Sequence, residues 1–447
     1  MAKDRARKKQ VTTGPLVLPP AVLKALGDEA PWLLKALSEA PPVSIRRNPV
    51  RSAPHQGSPV PWCVEGLYLE QRPVFTLDPH FHSGCYYVQE ASSMLLEQAF
   101  RACGPIPEHA VALDLCAAPG GKTTHLAALL PPSALLVANE PVRARQAALQ
   151  ENLWKWGRPN VVVTGSLPAD FAPLGEWCDL ILVDAPCSGE GMFRKEPFAR
   201  VQWNEQLVES CAQRQVGILA DAWAALKPGG HLIYSTCTWE EKENESQVQQ
   251  LIDLGATYLP IAVDGNWGVV VGDRGLRCYP HRLRGEGFFI AVVRKPGEFV
   301  PQSSRPSPAQ PVDVEIGGWT KDPVNQCIIQ QDRIGHLLSR HWAGLVEELM
   351  CTVRVLSPGI PAVQAKGVGV VPHAALALSM ALRTDAFNRL ELPLKEALAY
   401  LRGEALSAND ATGIALVQFE GSPLGWAHGA GNRWNNAWPN PWRIRMR

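Results

Sequence analysis

Short apolar runs alternate with amphipathic stretches between about residues 109 and 297. Apolar runs bounded by turn residues are typical of buried strands, and apolar residues three and four apart are typical of helices. The pattern predicts strands at 111–115, 134–140, 160–164, 178–184, 231–236 and 287–293. It predicts helices that begin at Lys122 and that cover 142–156, 204–226 and 240–254. This alternation indicates an α/β fold with a doubly wound, largely parallel sheet, whose ligands bind at the carboxyl ends of the strands.

The pattern differs on either side of this region. Helical spacing occurs at 23–37 and 89–100, with a short basic strand or turn at 43–49 between them. A proline-rich stretch around 296–311 predicts a linker. Beyond it the pattern predicts a helix at 393–406 and a strand at 413–419. We therefore expect an N-terminal α+β extension at 1–108, the α/β domain at 109–297, the linker at 298–312, an intermediate region at 313–360 and a small C-terminal domain at 361–447.

Length and composition narrow the class of protein. The chain has 447 residues, of which 46% are hydrophobic, so it can form several packed cores. It has no apolar run that could span a membrane and no apolar segment of a secretory signal behind its basic start. Its 11 cysteines include no Cys-x-x-Cys pair, which favours reduced thiols in the cytoplasm and no bound metal. We expect no membrane partner, and a monomer is the default because the sequence is silent on oligomeric state.

The net charge argues weakly against a nucleic-acid partner. The 43 basic and 43 acidic residues cancel, whereas nucleic-acid-binding proteins usually carry a basic surface. The charge is uneven, however, because residues 1–10 and 433–447 each carry a net +4 and leave −8 for the rest. In the second segment, tryptophans alternate with the arginines at Trp434, Trp438 and Trp442.

A glycine-rich turn follows the first strand of the α/β domain, in the run Asp114-Leu115-Cys116-Ala117-Ala118-Pro119-Gly120-Gly121-Lys122-Thr123. Such a turn at a helix N-terminus presents backbone N–H groups to a ligand. A phosphate-binding loop of an NTPase would need glycine in place of Cys116. A nucleoside site would need an acid after the second strand to bind ribose hydroxyls, and Glu140 stands there. The turn therefore favours a nucleoside cofactor.

Two cysteines stand at the ends of successive predicted strands. Cys187 lies in Asp184-Ala185-Pro186-Cys187-Ser188-Gly189-Glu190-Gly191, and Cys237 lies in Tyr234-Ser235-Thr236-Cys237-Thr238. Taken singly, each thiol is best explained as a buried structural group. Because parallel strands end at one edge of the sheet, we expect both thiols and Asp184 in one cleft beside the glycine-rich turn. Together they favour covalent catalysis.

The motifs at 114–122, 184–191 and 235–238 closely resemble those of the RNA cytosine-5 methyltransferases of the NOP/Sun type. They occur in the same order as in that family. The stretch 87–93 is also similar, and 277–289 looks like the family's bacterial 16S rRNA subgroup, the F type. Leu401-Arg402-Gly403-Glu404 and Pro423-Leu424-Gly425-Trp426 resemble the PUA-like RNA-binding tail of that subgroup. The resemblance implies a class I, Rossmann-like methyltransferase domain at 109–297, an RNA-recognition extension before it and a PUA-like domain at 361–447.

The resemblance also implies the roles of individual residues. Cys237 is the implied nucleophile that adds to cytosine C6 and activates C5, and Cys187 assists elimination and product release. Asp184 is expected to hydrogen-bond cytosine N3 and to face the cofactor. The implied cofactor is S-adenosylmethionine. Its expected binding residues are Cys116, Ala117, Ala118, Pro119, Gly120, Gly121, Lys122, Glu140, Gly165 and Asp184.

Two stretches depart from the family pattern. The family usually places an Asp after the third strand, against the adenine of the cofactor, but Thr164-Gly165-Ser166 contains no acid. The backbone of Gly165 or Ser166 is the candidate substitute, and weaker cofactor binding is the alternative. The tail has no lysine after Lys395, so arginines and tryptophans are its candidates for phosphate and stacking contacts. Packing inside the small domain is an equal alternative for the tryptophans.

The sequence therefore predicts an S-adenosylmethionine-dependent RNA cytosine-5 methyltransferase that acts on ribosomal RNA or on the 30S subunit. The same reaction on tRNA stays open, as does a non-catalytic RNA-binding or ribosome assembly factor, against which the intact Cys187, Cys237 and Asp184 argue. The target cytosine must leave its stack, so a flipped or unpaired base is expected. The zero net charge predicts a shallow salt dependence of RNA binding.

Overall fold

The computed structural model describes residues 16, 18–52, 54–300, 307, 309–311, 314–367 and 369–446. The basic stretch 1–10 and most of the predicted linker lie outside the described residues. Within these ranges, no helix is long and apolar enough to cross a membrane. Four sheets organise the described chain.

A small antiparallel sheet and short helices form the N-terminal extension. The strands are β1 Val43–Arg47, β2 Ser58–Pro59, β3 Gly66–Leu69 and β4 Tyr86–Tyr87, in the order β2-β3-β1-β4. The α-helices are Pro20–Leu26, Ala30–Ser38, Pro79–His82 and Leu96–Ala102. The predicted helix 23–37 is interrupted by a 3-10 turn at Gly27–Glu29, where Gly27 adopts a positive φ. The predicted helix 89–100 begins only at Leu96, after the 3-10 turn Ser92–Leu95.

The central sheet confirms the predicted doubly wound α/β fold. Its parallel strands are β5 Val111–Asp114, β6 Leu135–Asn139, β7 Val161–Thr164, β8 Cys178–Asp184 and β9 Leu226–Thr236. Its antiparallel strands on one side are β10 Thr257–Leu259, β11 Val270–Gly272, β12 Gly275–Cys278 and β13 Phe288–Arg294. The order is β11-β12-β13-β9-β8-β5-β6-β7, and β10 pairs with β13.

Helices cover both faces of this sheet, at Gly121–Leu129, Arg143–Trp156, Pro197–Gln202, Glu205–Ala225 and Glu245–Asp253. The predicted helix 204–226 is observed as Glu205–Ala225. The Asn204 side chain caps its N-terminus by accepting a hydrogen bond from the Leu207 N–H. Strand β9 then begins at Leu226, five residues before the predicted strand. The predicted helix 240–254 is divided at Asn244, after the 3-10 turn Glu241–Glu243.

Two hydrophobic cores lie on opposite faces of the central sheet. Ala112, Leu136 and Leu182 belong to one core, and their neighbours Leu113 and Val183 belong to the other. Successive side chains of a strand point to opposite faces, so a strand that is buried on both faces is apolar at every position. This is why the central strands appear in the sequence as unbroken apolar runs.

Two further sheets follow the linker. The first contains β14 Gln310–Pro311, β15 Gln326–Gln331, β16 Ile334–Ser339, β18 Ile360–Lys366 and β19 Gly369–Pro372, in chain order. Between β16 and β18, the strand β17 Val355–Ser357 leaves this sheet and pairs antiparallel with β7 of the central sheet. The second contains β20 Asn388–Glu391, β21 Leu406–Ala411, β22 Ile414–Phe419, β23 Ser422–Gly429 and β24 Gly431–Asn436, in the order β20-β22-β23-β24-β21.

The helices of this half are Val314–Gly317, Ala343–Thr352, Ala374–Ala377 and Leu394–Arg402. Sequence analysis predicted no element between 313 and 392, where the strands are short and several have exposed positions. The predicted helix 393–406 ends at Arg402 because Gly403 adopts the left-handed conformation. Other 3-10 turns lie at Phe75–Leu77, Pro168–Leu174, Glu190–Met192, Gly265–Trp267, Arg340–Trp342, Thr384–Ala386 and Asn440–Trp442.

Candidate active site

A cleft of about 400 Å³ opens at the carboxyl ends of the parallel strands. Most residues predicted from the motifs line it, namely Cys116, Ala117, Ala118, Pro119, Gly121, Lys122, Asp184 and Cys237. Much of the remaining wall comes from the stretches 87–93 and 277–289, which contribute Tyr87, Gln89, Glu286 and Phe288. The fold therefore brings five separate motifs to one place.

The glycine-rich turn forms the floor of the cleft. Gly120 has a φ of +111°, which is strained for other residues, and the helix begins at Gly121. The Thr123 hydroxyl donates to Asp114 Oδ2 over 2.6 Å and fixes the turn to the end of β5. Burial, together with the charge of Asp184, raises the pKa of Asp114 to about 7.

The N-terminal extension holds the turn through a buried arginine that sequence reasoning missed. Arg46 is 1% exposed and lies on β1. Its Nη2 donates to Thr124 Oγ1 over 2.7 Å, and its Nε donates to Gln89 Oε1 over 2.8 Å. Because Gln89 lines the cleft, the two hydrogen bonds of Arg46 together place the extension against both the turn and the cleft. The signal in the sequence was the basic strand at 43–49.

The Asp184 carboxylate has two partners at the end of β8. Lys122 Nζ lies 2.9 Å from Oδ2, and the Ser235 hydroxyl donates to Oδ1 over 2.8 Å. Burial opposes the charge of Lys122, but the Asp184 carboxylate more than offsets burial, and the pKa of Lys122 is raised. Lys122 Nζ also lies 5.0 Å from the centre of the Phe288 ring. The site therefore keeps a fixed cation beside the carboxylate.

Cys187 and Cys237 meet, as the strand order predicts, but only Cys237 is among the residues that line the cleft. Their sulfur atoms lie 3.0 Å apart, and the Cys237 N–H donates to Cys187 Sγ over 3.3 Å. The hydrogen bond to Cys237 and burial raise the pKa of Cys187 above its usual range. Cys187 thus keeps its proton and can donate it to the neighbouring sulfur.

A glycine permits the close approach of the segments around the thiols. The Gly191 N–H donates to the Cys237 carbonyl over 2.9 Å. A Cβ at Gly191 would lie 2.3 Å from the Gly287 carbonyl oxygen and 2.7 Å from the Cys237 carbonyl oxygen. No larger residue fits there without displacing the backbone of one of these segments.

Glu140 lies at the end of β6 and is buried, but it is not among the residues that line the cleft. The Val142 N–H donates to Oε1 over 2.9 Å, and Arg145 Nη1 lies 3.3 Å from Oε2. Among the described residues, neither Glu140 Oε2 nor Asp114 Oδ1 accepts a hydrogen bond. Buried polar atoms normally have partners, so these two oxygens fit a ligand that carries hydroxyl or ammonium groups. The expected cofactor carries both.

Gly165 does not line the cleft, and Arg354 occupies its backbone groups. The Gly165 N–H donates to the Arg354 carbonyl over 2.9 Å, and the Gly165 carbonyl accepts from Arg354 Nε over 3.2 Å. The Ser166 N–H donates to Asn139 Oδ1 over 3.1 Å, and Ser166 Oγ accepts from the Arg354 N–H over 2.9 Å. The backbone N–H groups of Gly165 and Ser166, which were expected to replace the acid missing after the third strand, therefore already donate hydrogen bonds within the protein.

Asn139 is a second residue that sequence reasoning missed. Its Nδ2 donates to the carbonyls of Leu115 and Ser166 over 3.2 and 3.0 Å, and its Oδ1 accepts from Thr164 Oγ1 over 2.9 Å. One amide therefore joins the turns that follow β5, β6 and β7. A polar residue at the end of the apolar run 134–140, directly before Glu140, was the available signal.

Two of the three tail tryptophans are packed inside the protein. Trp438 is 2% exposed and Trp442 is 8% exposed, and their rings lie 5.2 Å apart. Trp442 also contacts the helix Arg143–Trp156, because its ring lies 6.2 Å from that of Trp154. The packing alternative therefore applies to Trp438 and Trp442, whereas Trp434 is partly exposed.

Family models match three parts of the chain. Residues 20–91 match the N-terminal domain of 16S rRNA methyltransferase RsmF, and residues 105–294 match 16S rRNA methyltransferase RsmB/F. Residues 387–444 match the PUA domain of methyltransferase RsmF. The chain is 33% identical over 412 residues to ribosomal RNA small subunit methyltransferase F of Klebsiella pneumoniae, and 86% of this chain and 84% of that protein are covered. The protein of the same name from Escherichia coli K12 is 32% identical over 408 residues, with the same coverage.

Solved structures have a similar fold over 62% of the chain. A methyltransferase homologue from Pyrococcus horikoshii is 29% identical, with a TM-score of 0.52 over 62% of this chain and 100% of that chain. NSun6 from Pyrococcus horikoshii, solved with SFG, is 23% identical, with a TM-score of 0.53 over 62% of this chain and 97% of that chain. The second similarity concerns the fold alone.

Proposed function

Since the chain belongs to the RsmB/F family of 16S rRNA methyltransferases, we propose that it transfers a methyl group from S-adenosylmethionine to C5 of a cytosine in small-subunit ribosomal RNA. The names of its curated relatives support the RNA class, and the PUA match supports RNA contact by the C-terminal domain. The observation that carries the cytosine-5 chemistry is the thiol pair, with 3.0 Å between Cys187 Sγ and Cys237 Sγ beside Asp184.

Covalent activation by Cys237 addresses the main chemical difficulty, which is that C5 of cytosine is a poor nucleophile. The Cys237 thiolate forms a bond to C6, the electrons of the C5–C6 double bond become available at C5, and N3 takes up a proton from solvent. The Asp184 carboxylate accepts a hydrogen bond from N3–H, and Lys122, 2.9 Å from Oδ2, holds the carboxylate in place. S-adenosylmethionine, when bound, supplies the electrophilic methyl group for C5.

Cys187 acts in the release of the product. C5 loses its proton to solvent, the bond between C6 and Cys237 Sγ breaks, and its electrons return to the sulfur while the double bond of the ring is restored. N3 returns its proton to solvent in the same stage. The Cys187 thiol lies 3.0 Å from that sulfur and donates its proton to it. Because burial and the contact with Cys237 keep Cys187 protonated, it is suited to this role and Cys237 to that of the nucleophile.

Residues of the glycine-rich turn, from Cys116 to Lys122, would hold the amino-acid part of the cofactor, and Glu140 would hold its ribose. The oxygens of Asp114 and Glu140 that lack hydrogen-bond donors among the described residues support this placement. The free rRNA and the assembled 30S subunit are both proposed partners, and the open cleft fits a single flipped cytosine from either.

Bisulfite sequencing of total RNA from cells with and without the gene tests this function. We expect methylation of at least one 16S rRNA cytosine to disappear with the gene and to return with the wild-type gene. Cys237→Ala should not restore it, whereas the control Cys351→Ala, at an exposed cysteine outside the cleft, should. A loss confined to tRNA would contradict the rRNA substrate, and restoration by Cys237→Ala would contradict the thiol mechanism.

A further inference from the structure

Two buried carboxylates, Glu190 and Glu243, lie behind the thiol pair. The structure gives both an exposed fraction of 0%. Within the described ranges, neither forms a salt bridge, since their neighbours are hydroxyl, amide, indole and backbone groups. Burial raises the pKa of Glu243 to about 7 and also raises the pKa of Glu190. Two ionised carboxylates without a cation would be costly at such a site.

The hydrogen bonds between these groups require an additional proton. Ser188 Oγ contacts Glu243 Oε1 and also lies 3.1 Å from both carboxylate oxygens of Glu190 and 3.1 Å from Thr238 Oγ1. Thr238 Oγ1 contacts Glu190 Oε2 as well. The hydroxyls of Ser188 and Thr238 have one proton each, which is too few for all these contacts. A proton on one of the two carboxyl groups adds a third donor, so that Ser188 Oγ can accept from that carboxyl group while it donates to the other.

This network joins the two segments that carry the thiols. Ser188 and Glu190 follow Cys187, and Thr238 and Glu243 follow Cys237. The Ser188 N–H donates to Glu243 Oε2 over 3.0 Å, and Gln215 Nε2 donates to the same oxygen over 2.9 Å. Each thiol is therefore adjacent in sequence to a hydroxyl residue that contacts a carboxyl group. Ser188 contacts both Glu190 and Glu243, and Thr238 contacts Glu190.

We propose that Glu190 and Glu243 are positioning residues that share one proton through Ser188 and Thr238 and thereby hold Cys187 against Cys237. The catalytic consequence rests on the proposed function, whereas the effect on thiol spacing can be tested without it. Loss of the shared proton leaves two buried negative charges side by side, and their repulsion moves the two segments apart.

The surroundings of the pair do not compensate for that charge. The titratable groups that face it are Cys187, Cys211, Tyr234 and Glu240, and each is neutral or negative. The cations near these groups are Arg214, Lys242 and Arg277. Lys242 pairs with Glu209 and Arg277 pairs with Glu245, so both are engaged elsewhere, and Arg214 is exposed, so solvent screens its charge. The pair therefore depends on its proton.

Oxidation of the thiols measures their spacing directly. Diamide converts two adjacent thiols into a disulfide and is itself reduced to the hydrazine, and peptide mapping reports the Cys187–Cys237 bond. At fixed pH we expect rapid bond formation in the wild type and in Glu241→Gln, an exposed neighbour, and about tenfold slower formation in Glu243→Ala. An unchanged rate in Glu243→Ala would overturn the positioning role, even if the protein proved to have another substrate.

The pH profile of methyl transfer tests the shared proton. Glutamine resembles the protonated carboxyl and cannot ionise, so Glu243→Gln should keep the single-turnover rate near pH 7 and lose the decline on the alkaline side. Glu243→Ala should lower that rate by up to about 100-fold at unchanged cofactor affinity, as expected for misplaced reacting groups. An alkaline decline in Glu243→Gln equal to that of the wild type would overturn the proton-sharing. Absence of transfer in the wild type itself would instead count against the proposed function.

Discussion

In the proposed mechanism, Cys237 attacks the cytosine and the protonated Cys187 assists its release. Replacing Cys187 with alanine removes the donor that lies 3.0 Å from Cys237 Sγ but leaves the nucleophile intact. We expect Cys187→Ala to accumulate a covalent complex of protein and RNA, because addition proceeds while departure of the Cys237 sulfur is slowed. Denaturing gel electrophoresis of the enzyme with labelled rRNA and S-adenosylmethionine would display the complex.

The double variant Cys187→Ala/Cys237→Ala is the control for this experiment, since it lacks the attacking sulfur. It should form no denaturant-resistant complex. If Cys187→Ala forms none either, and turns over at the wild-type rate, then Cys187 has no part in product release. Cys351→Ala, at an exposed thiol, should behave as the wild type.

Residue identity was sufficient to predict which side chains meet at the carboxyl edge of the sheet but not the groups that support them. Cys187, Cys237 and Asp184 were predictable because parallel strands end at one edge, and each residue directly follows or ends a strand. Arg46 and Glu243 carry the same kinds of side chain as ordinary surface residues. Their burial depends on contacts far away in sequence, such as that between Arg46 and Thr124, which no local pattern indicates.

At the level of elements, β17 links the region after the linker to the cofactor side of the sheet. It lies within the predicted intermediate region 313–360, yet it pairs with β7 and brings Arg354 against Gly165. Arg354 Nη2 also donates to Gln146 Oε1 over 2.8 Å, on the helix that follows Glu140. Arg354 therefore fixes the stretch where the family's acid is missing.

We expect Arg354→Ala to weaken binding of S-adenosylmethionine by about tenfold, because it removes two side-chain hydrogen bonds at a partly buried edge. Isothermal titration calorimetry measures this affinity directly. Arg340→Ala, at the 3-10 turn before the helix Ala343–Thr352, is the matched control. Wild-type cofactor affinity in Arg354→Ala would show that the Arg354 side chain has no influence on the cofactor site.

The parallel strands of the central sheet and β13 were predictable, whereas β10, β11, β12 and most elements after residue 312 were not. Strands buried on both faces, such as β8, need apolar residues at every position and are visible in the sequence. Strands such as β20, with three of four positions exposed, and β24 carry mostly polar residues. The pairing of β17 with β7 joins residues nearly two hundred positions apart, so it follows only from the complete fold.

Across the whole molecule, buried histidines make stability sensitive to acid. Burial lowers the pKa of His82, His125, His231, His336 and His373 to about 4 each. A histidine with a lowered folded-state pKa contributes stability above its unfolded pKa of about 6.5, and this contribution is lost as the pH falls towards 4. We expect the Tm to fall steadily between pH 6.5 and 4 in calorimetric scans at constant ionic strength. A constant Tm over this interval would show that these histidines are protonated in the folded protein.

The charge balance of the whole chain predicts how RNA binding responds to salt. With equal numbers of acidic and basic residues, binding should release few counterions and rely on shape and stacking.

The exposed arginines Arg433 and Arg445 of the C-terminal domain are the candidates for phosphate contacts. Replacing both with alanine should reduce the slope of log K against log salt by about 0.7 for each lost contact. Fluorescence anisotropy with a 16S rRNA fragment measures this slope, and Arg214→Ala, an exposed arginine on the helix Glu205–Ala225, is the control. A steep slope that the double variant leaves unchanged would place the phosphate contacts on another surface, formed by arginines that are distant in the sequence.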